Sequence, residues 1–200
     1  MTDGRGDETL KGERGALAIE SLGKRRYRVH LPPMDYLNLL APHRHGEVAM
    51  IIERAPGWVL LQTKANYPPG TFRIPTGTIQ RDEPPEECMR RELLEEANLT
   101  PGRSEELFRL EYRPEGGRSD FVTFGYLIQD PVGELMPIDK KEAITGWREA
   151  QIAELPDVAR DLRRLEAPRA GWGLFRSAIH QLLAQIMLGI MFGGQTKQQP

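Results

Sequence analysis

Glu92, Glu95 and Glu96 place three carboxylates in one short stretch of "PPEECMRRELLEEANL". At about 100° per residue they would share roughly one quadrant of a helix, while Met89, Leu93 and Ala97 fall on a different arc. The same turns can therefore bury an apolar side and project acids into a cleft. Like charges at this spacing cost only a few tenths of a kcal/mol per pair on an exposed helix, so a solvated acidic face is the simplest account. The chemical alternative is a hard divalent cation, Mg²⁺ or Mn²⁺, which takes oxygen ligands and neutralises such a cluster.

Elements on both sides must position that helix. "ALAIES" and "RRYRVHL" read as strands around a turn at Gly23, and "EVAMIIER" with "GWVLLQTK" reads as a hairpin around Ala55-Pro56-Gly57. The Pro- and Gly-containing loop "ANYPPGTFRIPTG" separates this hairpin from the acidic helix, whose prolines stand at its start, where missing N–H groups do little harm. "ELFRLEYR" and "DFVTFGYLIQ" are strand-like and joined by the turn-rich "PEGGRS". "GWREAQIAEL", "DVARDLRRL" and "WGLFRSAIHQLLAQIM" are read as helices. Strands flanked by a few helices without strict alternation predict an α/β (α+β) fold, a mixed sheet between helices.

The acids belong to a longer pattern. Gly77, Glu83, Arg91, Glu92, Leu93, Glu95, Glu96 and Leu99 follow G-x5-E-x7-R-E-U-x-E-E-x-G-U, with U a bulky apolar residue. The chain thus resembles the Nudix hydrolase superfamily, whose members cleave a nucleoside diphosphate linked to another moiety with divalent metal. The resemblance implies a mixed sheet sandwiched between helices, with the box forming a loop-helix-loop. Asn98 stands where the family carries glycine, a mild departure, because asparagine is the next most tolerant residue in the left-handed conformation a helix end needs.

By the same resemblance, Glu92, Glu95 and Glu96 would hold Mg²⁺ (or Mn²⁺), with the backbone carbonyl of Gly77 contributing, and Arg91 with Glu83 would be the supporting pair. An arginine fork orients a carboxylate through two hydrogen bonds and fixes ligands that repulsion would splay apart. The general base is either a box glutamate or Glu142 in "IDKKEAITGW", with Asp139 a weaker rival. Pro114, 15 residues after Leu99, occupies a position at which ADP-ribose pyrophosphatases carry proline. Tyr112, Tyr67 and Phe72 are aromatic candidates for stacking on a base, with core packing the competing role. The segment from Ala16 to Leu31 is similar to the strands that dimerise those enzymes, which implies a homodimer.

Composition narrows the rest. A formal net charge of -2 and a pI near 6.1 supply no basic stripe for nucleic acid. No apolar run reaches membrane-spanning length, and a single cysteine, Cys88, without a secretory leader makes a reducing cytoplasm the expected compartment. The expected organisation is a disordered N-terminus over 1–15, N-terminal strands over 16–45, a catalytic domain over 46–168, a C-terminal helix over 169–192 packed on the core or on a second subunit, and a disordered tail over 193–200. His43 and His45 are read as surface residues. Two other activities remain open: a silent nucleotide-binding sensor with this fold, which the intact acid set disfavours, and an isoprenoid diphosphate isomerase, which would need a better placed cysteine than Cys88.

Overall fold

The computed structural model describes residues 15–36, 39–40, 46–116, 119 and 121–192. The sequence expectations for the two ends, before Gly15 and after Phe192, and for His43 and His45, lie outside the described residues. Among the described residues eight strands form one sheet: β1 (Ile19–Gly23), β2 (Arg26–Leu31), β3 (Gly46–Ala55), β4 (Trp58–Lys64), β5 (Thr76–Thr78), β6 (Arg103–Pro114), β7 (Val122–Gln129) and β8 (Ile144–Gln151). The α-helices among the described residues, α1 (Pro85–Ala97), α2 (Leu155–Arg163) and α3 (Ala170–Phe192), cover it. The strand order is β1-β2-β6-β7-β3-β4-β8, with β5 pairing beside β4 on the free edge of β3.

β3 explains the layering. Its run "VAMII" is apolar at every position, as a strand covered on both faces requires. Val48, Met50 and Ile52 join Met89, Leu93 and Ala97 of α1 in one cluster, whereas Ala49 and Ile51 join α2 and α3 in the other. The sheet is therefore sandwiched, with α1 on one face and α2 and α3 on the opposite one. α3 is buried continuously from Ala170 to Ala184, including Arg176, Ser177 and His180, which marks it as a core helix rather than an amphipathic flap. Arg176 Nη1 donates to both oxygens of Glu47 at 2.7 Å, tying α3 to the start of β3.

Local turns follow the sequence closely. The β1–β2 turn is made by Lys24 and Arg25, both with positive φ, and the β3–β4 hairpin turns at Gly57 with φ +79°. "GWREAQIAEL" departs from its expected helix: Gly146 to Gln151 belong to β8, which pairs antiparallel with β4, and only Ile152 onward is helical. The unpaired outer edge of β4 supplies a ladder of hydrogen bonds that a helix-compatible composition cannot outweigh. No helix among the described residues is long and apolar enough to cross a membrane.

Candidate active site

Pro84 and Pro85 open α1, and Asn98 closes it at φ 54°, ψ 36°, donating its N–H to the end of the helix. The chain from Val132 to Asp139 then folds back along α1: the N–H groups of Ile138 and Asp139 donate to Glu95 O, and that of Met136 to Ala97 O. Those contacts satisfy carbonyls that a helix end leaves without partners. Gly77 on β5 lies against Glu92, and a Cβ there would come within 2.0 Å of Glu92 Cγ. Gly77 is needed for space, letting the Glu92 side chain cross the strand.

Two cations divide the acids between them. Arg91 grips Glu83 with its fork, Nε to Oε1 at 2.7 Å and Nη2 to Oε2 at 2.9 Å, and its Nη1 donates to Glu92 at 2.9 Å and Glu95 at 3.0 Å. Nη2 also reaches Thr78 O at 3.2 Å, so one guanidinium ties the box loop to the box helix. Hydrogen bonding to Arg91 pulls the Glu83 carboxyl down to about 2, and Glu83 in turn raises the pKa of Arg91. The second cation, Lys64 of β4, donates to Glu96 Oε1 at 2.7 Å and to Glu142 Oε2. Gln62, two residues back and so on the same face of the strand, donates Nε2 to Glu96 Oε2 at 3.1 Å. Lys64 pairs with Ile144 and Ala65 N–H donates to Ala143 O, which fixes the short turn that carries Glu142.

Burial sets the electrostatics. It pushes Glu92 up to about 7, with Glu96 and Glu142 adding to the shift and Arg91 opposing it. Burial also raises Glu96, outweighing the pull of Lys64. For Glu142 burial acts upward, but hydrogen bonding and charge from Lys64 prevail and hold it below the ordinary carboxylate value. Burial lowers Lys64, yet its two acid partners leave it raised overall.

The three box acids do not share one open edge. Glu92 and Glu96 are buried, whereas the Glu95 side chain is 42% exposed and turned toward Arg91. Glu142 is brought to Glu96 through Lys64, and Asp139 instead accepts from Lys141 N–H. Tyr112 is corrected from a base-stacking candidate to a core residue: it is 2% exposed, stacks on Phe175 at 4.3 Å between ring centroids and bonds Thr123 Oγ1 at 3.0 Å. A strand position facing α3 has no route to a ligand. Pro114 ends β6 and lines a cleft of about 1000 Å³ with Leu17, His30 and Leu31, to which no box glutamate contributes. Tyr67 packs against Trp172 and accepts from Arg73 Nε, and Phe72 lies under the Arg148 guanidinium. Cys88 is buried, and that burial pushes its thiol up.

Sequence reasoning missed Gln62 and Lys64. Their signal was present in "VLLQTK", where polar residues two apart interrupt an apolar strand and must point the same way. Among the described residues no three Asp, Glu, His or Cys side chains already converge as a metal site, because Arg91 and Lys64 hold the carboxylates. The donor chemistry nevertheless fits a hard divalent ion: every candidate ligand is an oxygen, and Glu92 and Glu96 are buried like charges that gain from added positive charge.

The model of the NUDIX domain matches residues 43–169, well over half of the chain. The chain belongs to the Nudix family. No curated protein matches it in sequence. Among solved structures, an ADP compounds hydrolase is similar at 19% identity and TM-score 0.50, over 76% of this chain and 75% of that one. MutT from Burkholderia pseudomallei aligns at 20% identity and TM-score 0.47, over 66% and 96% respectively. A MutT structure from work on Aliivibrio salmonicida and Vibrio cholerae aligns at 19% and 0.45, over 56% and 83%. At 19% identity the likeness to the ADP compounds hydrolase speaks to the fold alone. This Nudix chain is a pyrophosphohydrolase by family, and its box is assembled around Arg91.

Proposed function

We propose that this Nudix protein hydrolyses the pyrophosphate bond of a nucleoside diphosphate linked to another moiety, with ADP-ribose or a nucleotide sugar as the substrate class and Mg²⁺ or Mn²⁺ as the cofactor. The supporting observation is the pair of buried carboxylates, Glu92 and Glu96, both raised by burial, with the Glu96 charge adding to the rise of Glu92. Glu92, Glu95 and Glu96 would hold the ion, with the Gly77 carbonyl. When bound, the ion neutralises diphosphate charge and supplies water acidic enough to attack phosphorus at neutral pH.

The remaining work falls to the chain. Arg91 fixes Glu92 and Glu95 against their mutual repulsion, and Glu83 fixes Arg91. Glu142, held ionised at neutral pH by Lys64, is assigned to accept the proton of the attacking water at a carboxylate oxygen. Pro114 is assigned a contact to the substrate beyond the diphosphate, and β1 with β2 an interface to a second copy. A reducing cytoplasm fits the one free, buried thiol.

The test is a panel of ADP-ribose, nucleotide sugars, dinucleoside polyphosphates, NADH, coenzyme A and nucleoside triphosphates, assayed with Mg²⁺ or Mn²⁺ and followed by product analysis. Glu95→Gln and Glu96→Gln should each lower kcat on the order of 100-fold, the scale of losing one preorganised charge at a reacting centre. Near-wild-type turnover in both variants defeats the metal assignment. In the same panel Pro114→Ala should raise KM for some members and spare others, and a uniform profile removes Pro114 from the site.

A further inference from the structure

Lys64 occupies an unusual position for a lysine beside a cation-holding set. Its side chain is only 13% exposed, and it bridges Glu96, 1% exposed, to Glu142. With Gln62 on the other oxygen, the Glu96 carboxylate has both oxygens already engaged by donors from β4. A divalent ion taking Glu96 therefore meets the Lys64 ammonium, 2.7 Å from one of its oxygens, as a competing like charge, and Gln62 as a neutral donor. Gln62 is fully buried, its backbone N–H and carbonyl are both bonded to Arg73, and its Oε1 is buried without a hydrogen-bond partner among the described residues. A carboxamide that leaves one polar atom unpaired while its other end holds a carboxylate is fixed by that contact and has nowhere to go. Lys64 differs on both counts: it is a compact point charge on a flexible four-carbon stem, and part of it faces solvent.

We propose that Lys64 is a resident counter-cation that competes with the divalent ion for Glu96, so that ion loading requires its ammonium to give up that contact while it keeps Glu142. This inference rests on the reading of Glu92, Glu95 and Glu96 as the ion-holding set. Lys64 acts as a positioning residue: without the ion it keeps two acids of different elements together, and it weakens the affinity of the substrate-free protein for the ion. Gln62 keeps Glu96 aimed while the exchange occurs.

The experiment is titration of Mn²⁺ into substrate-free protein, read by electron paramagnetic resonance of the free ion, together with the Mn²⁺-induced rise in melting temperature. Lys64→Met should bind Mn²⁺ on the order of tenfold more tightly than wild type, the scale of removing one adjacent competing cation. It should melt lower without Mn²⁺ and gain more on Mn²⁺ addition. Lys64→Arg, which keeps the charge, should stay near the wild-type affinity. A purely structural Lys64 would lower the melting temperature of Lys64→Met equally with and without Mn²⁺ and leave affinity unchanged, and that result overturns the proposal. Weaker Mn²⁺ binding in Lys64→Met overturns it as well. Failure of the underlying reading looks different: wild type and Glu96→Gln would then bind Mn²⁺ alike, whatever Lys64 does.

Discussion

His180 makes stability depend on pH in a way that can be separated from the active site. It is buried in α3, 1% exposed, with Nε2 at 3.0 Å from the backbone N of Ile74 and Nδ1 at 2.9 Å from Arg176 O. Because Ile74 N–H can only donate, Nε2 must carry the lone pair, and Nδ1–H then donates to the Arg176 carbonyl. Protonation would aim a second N–H at Ile74 and bury a charge near Arg73 and Arg176. Burial chiefly, with those two arginines adding, lowers the imidazole to about 3 from the ordinary 6.5. The folded state therefore favours the neutral ring: the contribution is complete above pH 6.5 and is lost as pH falls toward 3. Between pH 7 and pH 5 the loss is about 2 kcal/mol, from 1.36 kcal/mol per unit over the interval below 6.5. Glu92 acts in the opposite sense over the same window, since a carboxyl raised to about 7 contributes most below its unfolded value and loses that contribution as pH rises through 7. Glu96, also raised by burial, acts in the same sense as Glu92, so the wild-type profile alone mixes opposing effects and a variant is required. Urea unfolding of wild type and His180→Gln at pH 7 and pH 5, with chelator present, should show the variant less stable by about 1–2 kcal/mol at pH 7 through lost packing and hydrogen bonding. The gap should close by about 2 kcal/mol at pH 5. A constant gap at the two pH values refutes the assignment of a buried, neutral His180.

Gly77→Ala should cost about 1–3 kcal/mol of stability by overpacking against Glu92 and should lower kcat further than that loss explains, because the displaced side chain is a proposed ion ligand; chemical unfolding and steady-state kinetics check it, and unchanged values in both would contradict the close approach. Tyr112→Phe removes one buried hydroxyl contact to Thr123 and should cost about 1 kcal/mol while leaving KM unaltered for every substrate; a raised KM at full stability would return Tyr112 to the site.

Much of the architecture could be read before any coordinates because local chemistry and tertiary context agree there. Pro84 and Pro85 start α1, Asn98 takes the left-handed cap, and Gly57 turns the β3–β4 hairpin. The Glu83–Arg91 fork was also legible, since eight positions in fixed order point to it. β8 was not, because "GWREAQ" has no strand alternation strong enough to compete with its helix-forming residues, and only pairing with β4 decides it. Gln62 and Lys64 lie outside the motif, and their partners Glu96 and Glu142 are 34 and 78 residues away in sequence. Contacts of that range leave only the strand's own polar pair as a trace.

The two cations of the site are of different kinds, and the difference bears on how it works. Arg91 holds Glu83 bidentately and reaches Glu92, Glu95 and Thr78 with the same planar group, so removing it would release these five hydrogen bonds at once. A guanidinium in that arrangement is a permanent part of the frame, and a lysine in its place could not reproduce the fork. Lys64 meets its two acids as a single ammonium, with no geometry that another cation could not supply. The five carboxylates Glu83, Glu92, Glu95, Glu96 and Glu142 are thus hydrogen-bonded to one fixed positive charge and one exchangeable one, while the Arg73 charge acts on Glu96 and Glu142 without a hydrogen bond. The exchangeable charge sits on the two acids, Glu96 and Glu142, to which ion holding and proton acceptance are here assigned, so Lys64 is where the site can change its charge without changing its fold.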